Sequence, residues 1–132
     1  MSYPSAILMN KAYYHYTIAH SELVDGVHVA NIEALICLKA KAFVDLCARK
    51  AQGEHIDQDD IEKHKKDVFR LAPMLTGDAR FELPIEMQKD LWLFFDAIES
   101  ELPNVDFLRN AGLRSQSVDE LLVVLKHAYL GE

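Results

Sequence analysis

Asn31-Ile32-Glu33-Ala34-Leu35-Ile36-Cys37-Leu38-Lys39-Ala40-Lys41-Ala42-Phe43-Val44-Asp45-Leu46-Cys47 is the stretch that decides the fold. Its bulky apolar residues Ile32, Leu35, Ile36, Phe43, Leu46 and Cys47 recur at helical intervals and mark one face. Asn31 suits the N-cap and Gly53 the stop, so the spacing predicts a helix over about residues 32–51. The next start signal follows at once. Asp57 is the expected N-cap, Ile56 and Ile61 form a hydrophobic staple, and Asp59 and Asp60 suit the positive end of a helix. The apolar stripe of that second helix is Ile61, Val68, Leu71, Ala72 and Leu75, and Pro73 should shorten or bend it.

Toward the C-terminus, Pro84 fits the first turn of a third helix that runs to about Glu101, with Leu91, Trp92, Phe94, Phe95 and Ile98 as a broad apolar face. Pro103-Asn104 breaks it, and a short helix to Gly112 can follow. Ser117-Val118-Asp119-Glu120 is a capping box for a last helix over 118–130, packing through Leu121, Leu122, Val124, Leu125 and Tyr129, with Gly131 after it. Toward the N-terminus, Ser5-Ala6-Ile7-Leu8-Met9 reads as a short buried strand. Tyr13 to Ile18 is β-prone, although one helical turn also fits. Glu22-Leu23-Val24 and Val27-His28-Val29 flank Asp25-Gly26, a pair suited to a two-residue hairpin turn. The expected class is therefore α+β. Short N-terminal strands and a hairpin over about residues 5–30 precede a bundle of four to five helices over about 31–131, all in a single domain, 1–132.

The 132 residues are 50% hydrophobic and 27% charged, a globular and not a disordered balance. No apolar run nears the ~20 residues that span a bilayer, so no membrane association is expected. The start lacks the basic stretch and long apolar run of a secretion signal, and the expected location is the cytoplasm. Cys37 and Cys47, ten residues apart on one helix, lie about 15 Å apart along its axis and cannot bridge, so both read as free thiols. No CxxC pair offers a zinc site. The net charge of −7 is uneven. Residues 1–70 hold 9 Lys/Arg and 10 Asp/Glu, whereas residues 71–132 hold 5 and 11. An acidic second half repels phosphate backbones and argues against general nucleic-acid binding.

Three groups of residues bear on chemistry. Lys39 falls at the centre of the stripe set by Ile32, Ile36, Phe43 and Leu46, whereas Lys41 points to the opposite side and reads as an ordinary surface lysine. A cation facing a core must find an acid, carbonyls or a ligand. A structural salt bridge, a snorkelling stem and a phosphate contact all satisfy it. Second, Asp60, His64, Asp67 and Leu71 share a flank of the next helix. His64 and Asp67 are close enough to pair, and Asp67 can meet Lys39 across the helix pair. No further ligand is spaced to complete a metal site there. Third, Asp57-Gln58-Asp59 has the Asp-x-Asp form of a nucleotidyltransferase metal pair. That pair needs a strand and an upstream Gly-Ser turn, and here it opens a helix in a chain without Gly-Ser. No Gly-rich phosphate loop occurs, and His15, His20, His28 and His127 are scattered without ligand spacing.

Leu35 to Leu46, then Glu54-His55-Ile56-Asp57, then Lys63-His64-Lys65-Lys66-Asp67-Val68-Phe69-Arg70-Leu71, form a long ordered pattern. It resembles the second half of nucleotidyltransferase-like proteins of the AbiEii/AbiGii toxin type. Ser5 to Leu8, Tyr13-Tyr14 and the hairpin to Val29 also look like the strands ahead of that helix, so the resemblance covers about residues 5–75. It implies a bacterial toxin–antitoxin setting. It also implies that a lysine and an Asp on successive helices, here Lys39 and Asp67, contribute to a nucleotide site. His64 and Arg70 are secondary candidates. Arg70 replaces a second acid of the wider family, which counts against a direct catalytic role. The family's Gly-Ser turn and strand carboxylates lie ahead of what these residues contain. The isolated chain is thus expected to be no enzyme and to bind no cofactor alone, with a nucleoside triphosphate and Mg²⁺ belonging to a complete relative. The expected partners are a catalytic front half, a second copy of the chain or a cognate antitoxin. A stand-alone interaction or regulatory domain is the alternative.

Overall fold

The computed structural model describes residues 11–24, 27–103, 105–110, 112 and 117–132. Its elements are α1 (Lys11–Ala19), β1 (Ser21–Val24), β2 (Val27–Ala30), α2 (Ile32–Ala51), α3 (Gln58–Leu71), a 3-10 turn (Ala72–Met74), α4 (Ile85–Ile98), α5 (Val105–Asn110) and α6 (Val118–Leu130).

The α+β class gives way to a helical one. The β-prone segment Tyr13–Ile18 lies inside α1, because Tyr13, Tyr16 and Thr17 bury themselves at i, i+3 and i+4. Burial on one helical side outweighs the weak strand preference of aromatic and β-branched residues. Strand pairing among the described residues is confined to one ribbon. β1 and β2 pair antiparallel from Ser21↔Ala30 to Val24↔Val27. Two strands of four residues form no layer for helices to stack on. The strand expected at 5–9 and the Asp25-Gly26 turn lie outside the described residues.

α2 is the central helix, with α3 on one side and α1 and α4 on another. Its buried residues are Ala34, Ile36, Cys37, Leu38, Ala40 and Phe43, while Ile32, Leu35, Leu46 and Cys47 are only partly covered. The core face is thus rotated away from the stripe of bulky residues. Ala34 and Ala40 let neighbouring helices approach closely, a role that a stripe weighted by bulk overlooks. Asn31 takes the N-cap backbone conformation of α2, but its side chain makes no capping bond. The other caps form. The Asp57 carboxylate accepts from the Asp59 N–H at 3.0 Å, and the Ser117 hydroxyl accepts from the Glu120 N–H at 3.1 Å. Gly131 ends α6 at φ 75°, the left-handed conformation favoured in a closing residue. The core continues through Phe69, Met87, Leu91, Phe94, Phe95, Leu121 and Leu125, with Phe43 edge-on to Phe94 at 5.2 Å.

Candidate functional site

α2 and α3 pack side by side and carry all four residues singled out above. Gly53, at φ 95°, closes α2, and Arg49 pairs with Glu54 in the connection, Nε to Oε2 2.8 Å. This hairpin of helices sets Lys39 opposite Asp67. The Lys39 Nζ lies 3.2 Å from Asp67 Oδ2, and Arg70 Nη1 donates to Asp67 Oδ1 at 2.8 Å. Each carboxylate oxygen therefore faces one cation. Arg70 is also placed from its other side, with its guanidinium carbon 4.9 Å from the Phe107 ring centre. The group opens to water unevenly: the side chain of Asp67 is 17% exposed, that of Lys39 33% and that of Arg70 46%.

His64 stands one turn before Asp67, close enough along the helix to pair with it. Its Nδ1 is buried and has no hydrogen-bond partner among the described residues. Burial, with Lys39 adding to it, pulls the imidazole below its ordinary value, against the opposing pull of Asp67. The fold thus favours the neutral imidazole. Asp60 lies on the same flank, yet no group of three or more His, Cys, Asp or Glu among the described residues could hold a metal ion. One carboxylate already shared by two cations is also a poor donor set for Mg²⁺, which binds through oxygen ligands in octahedral order. The two cations do suit phosphate oxygens.

Lys41 corrects the sequence reading. Its side chain is 16% exposed, against 33% for Lys39, so the lysine read as a surface residue is the more buried of the two. Its Nζ lies 3.0 Å from Asp45 and 3.4 Å from Asp90, and 5.6 Å from the Tyr13 ring centre. Tyr13 donates its hydroxyl to Asp90 at 2.9 Å. Burial alone would lower the ammonium, but the two carboxylates outweigh it and hold Lys41 above its ordinary range. The cause is the second packed side of α2, which α1 and α4 cover. Asp90 lies far along the chain, and no local pattern links it to Lys41.

A second buried cation was missed altogether. Lys65 is 3% exposed, donates to the Glu101 carbonyl at 2.8 Å and pairs with Glu62 at 2.7 Å. Burial raises the Glu62 carboxyl, but the Lys65 ammonium outweighs it and holds Glu62 below its usual range. A signal existed: Ile61, Lys65, Val68 and Ala72 stand at i, i+4, i+7 and i+11, one continuous inward row. The role is structural, since the ammonium ties α3 to the backbone after α4.

Cys37 is fully buried, and burial pushes its thiol up, which leaves it an unreactive core side chain. Nearby, Glu33 accepts from Tyr16 through its carboxylate at 3.2 Å and from Tyr129 through its carbonyl at 2.9 Å. Open grooves lie on other parts of the surface. One of about 550 Å³ runs between the start of α2 and residues 74–81, and one of about 220 Å³ lies between α4 and α6. No helix among the described residues is long and apolar enough to cross a membrane.

No protein-family model matches the chain. Neither the curated proteins nor the solved structures contain a match.

Proposed function

We propose that this chain is the non-catalytic helical half of a nucleotidyltransferase-like protein of the AbiEii/AbiGii toxin type. In this reading Lys39 and Asp67 form one wall of a nucleotide site, and a front half supplies the metal-binding carboxylates. The supporting observation is the ion pair of Lys39 with Asp67 across α2 and α3, left partly open to water and joined by Arg70. Lys39 and Arg70 offer charge and N–H donors to phosphate oxygens, and Asp67 holds both in place until a ligand competes for them. His64, whose burial disfavours the charged imidazole, adds no further charge. A nucleoside triphosphate with Mg²⁺ is the cofactor set of the complete protein, with the metal held outside these helices. The partners proposed are the front half, a second copy of the chain and a cognate antitoxin.

A reconstitution tests the reading. The chain alone, given each labelled nucleoside triphosphate, Mg²⁺ and RNA or protein acceptors, should transfer no label. It lacks the carboxylates that clamp a leaving pyrophosphate through metal. Label transfer should arise when a front half with a Gly-Ser turn and strand Asp-x-Asp is supplied. Lys39→Ala should then lower it by about tenfold or more, as expected for one lost charged contact. Transfer by the chain alone, or transfer indifferent to Lys39, would refute the proposal. The second reading, a stand-alone interaction domain, is favoured by the exposed Trp92, Leu93 and Val123, which the core does not use.

A further inference from the structure

The acid surplus of the second half borders an open groove. Trp92, Phe95, Leu130, Asp96, Glu99 and Glu132 are among the residues that line this groove of about 220 Å³ between α4 and α6. Phe95 is itself buried, so the apolar surface offered there is chiefly that of Trp92. Trp92 was expected in the core from its place among Leu91, Phe94 and Phe95. It is instead 55% exposed, because the inward side of α4 is centred on Met87, Leu91, Phe94 and Ile98. Trp92, Asp96 and Glu99 share one flank of α4, at i, i+4 and i+7. On α6, Val123 is 68% exposed and stands at i to Lys126 at i+3 and Leu130 at i+7, which extends the apolar strip beyond the groove. Among the described residues the groove is lined by one cation, Lys126, which is paired with Glu99. The side chains of Asp96 and Glu132 make no ion pair among the described residues, while the Glu132 main-chain oxygen lies 3.2 Å from His127 Nδ1. Asp119, one turn before Val123, adds a further carboxylate.

We propose that this groove docks a basic amphipathic helix of a partner protein. Its apolar side chains would cover Trp92, Leu130 and Val123, and its Lys or Arg side chains would meet Asp96, Glu132 and Asp119. Helix-in-groove recognition combines exposed apolar side chains with neighbouring charges, and the charge sign selects the partner. The same carboxylates repel phosphate backbones and anionic lipid surfaces. A two-fold pairing of this face with itself would set like charges against each other. The inference does not rest on the nucleotide reading, since it uses α4 and α6 and not α2 and α3.

Trp92 is the only tryptophan, so its emission reports on the groove directly. The probe is a synthetic peptide of about 18 leucines and lysines patterned as an amphipathic helix, and its control has glutamate in place of lysine. The basic peptide should shift Trp92 emission to the blue in a saturable titration, and the acidic one should not. Raising salt from about 0.05 to 0.5 M should weaken binding about tenfold or more. Asp96→Lys and Val123→Lys, both at exposed positions outside the core, should each weaken it about fivefold or more while the far-ultraviolet spectrum stays unchanged. An unshifted emission with the basic peptide overturns the proposal, as does an equal response to both peptides. A blue shift that grows with protein concentration in the absence of peptide also overturns it and assigns the groove to a second copy of the chain.

Discussion

Lys39 and Lys41 stand two residues apart, yet they do different work. Lys39 reaches Asp67 at a half-open helix seam, while Lys41 is enclosed by Asp45, Asp90 and the Tyr13 ring. The partner of Lys39 was legible because helical geometry places it opposite α3. Its burial was not, because the stripe that pointed it inward was built from bulky residues and missed Ala34 and Ala40. The energetics of the seam follow from desolvation. Asp67→Ala leaves Lys39 and Arg70 without their shared counter-charge in a partly covered place, and should cost about 1–2 kcal/mol by denaturant unfolding. Lys39→Met keeps the stem and leaves Asp67 bonded to Arg70, so it should cost less than about 1 kcal/mol. The reverse order would contradict the arrangement. His64 adds a pH dependence. Its folded imidazole lies below the ordinary value of 6.5, so the folded state binds the proton less readily than the unfolded chain. Its contribution is fully present above 6.5 and is lost as pH falls toward the depressed folded value. Besides Lys39 and Asp67, Lys63 and Asp60 act on it, with Lys63 lowering and Asp60 raising. The loss of stability from about pH 7.5 to about pH 5 should therefore shrink in His64→Gln, and an identical loss in both proteins would count against the buried neutral imidazole.

At the scale of elements, boundaries were the most readable part of the chain. Asp57 and Ser117 cap their helices with the bonds that their side chains imply, and Pro73 falls in the 3-10 turn that closes α3. These are local signals, carried by a few neighbouring residues. Asp57→Ala should lower stability by about 1 kcal/mol, and Asp57→Asn by much less, because asparagine keeps an oxygen for the Asp59 N–H. Equal losses would show that the charge, and not the cap bond, matters there. Segment type was harder to read at the front. Tyr13 to Ile18 combines residues that favour strands, and only the long-range packing of Tyr13 and Tyr16 decides for helix. The acceptors of those two hydroxyls, Asp90 and Glu33, lie on other helices, and their distances along the chain hide the choice from any local pattern.

At the scale of the molecule, a central α2 carries a different task on each side. Toward α3 it shows the Lys39–Asp67 seam, and toward α1 and α4 it buries the Lys41 network. A separate groove opens outward between α4 and α6. The seam is where the nucleotide reading stands or falls, and amide chemical shifts map it directly. The isotope-labelled chain, combined with a front half that supplies the metal-binding carboxylates, is titrated with each of the four nucleoside triphosphates in the presence of Mg²⁺. The account predicts that the largest shifts fall at Lys39, His64, Asp67 and Arg70, need the front half, and are lost in Lys39→Ala. Shifts centred elsewhere, or unchanged by Lys39→Ala, would contradict it.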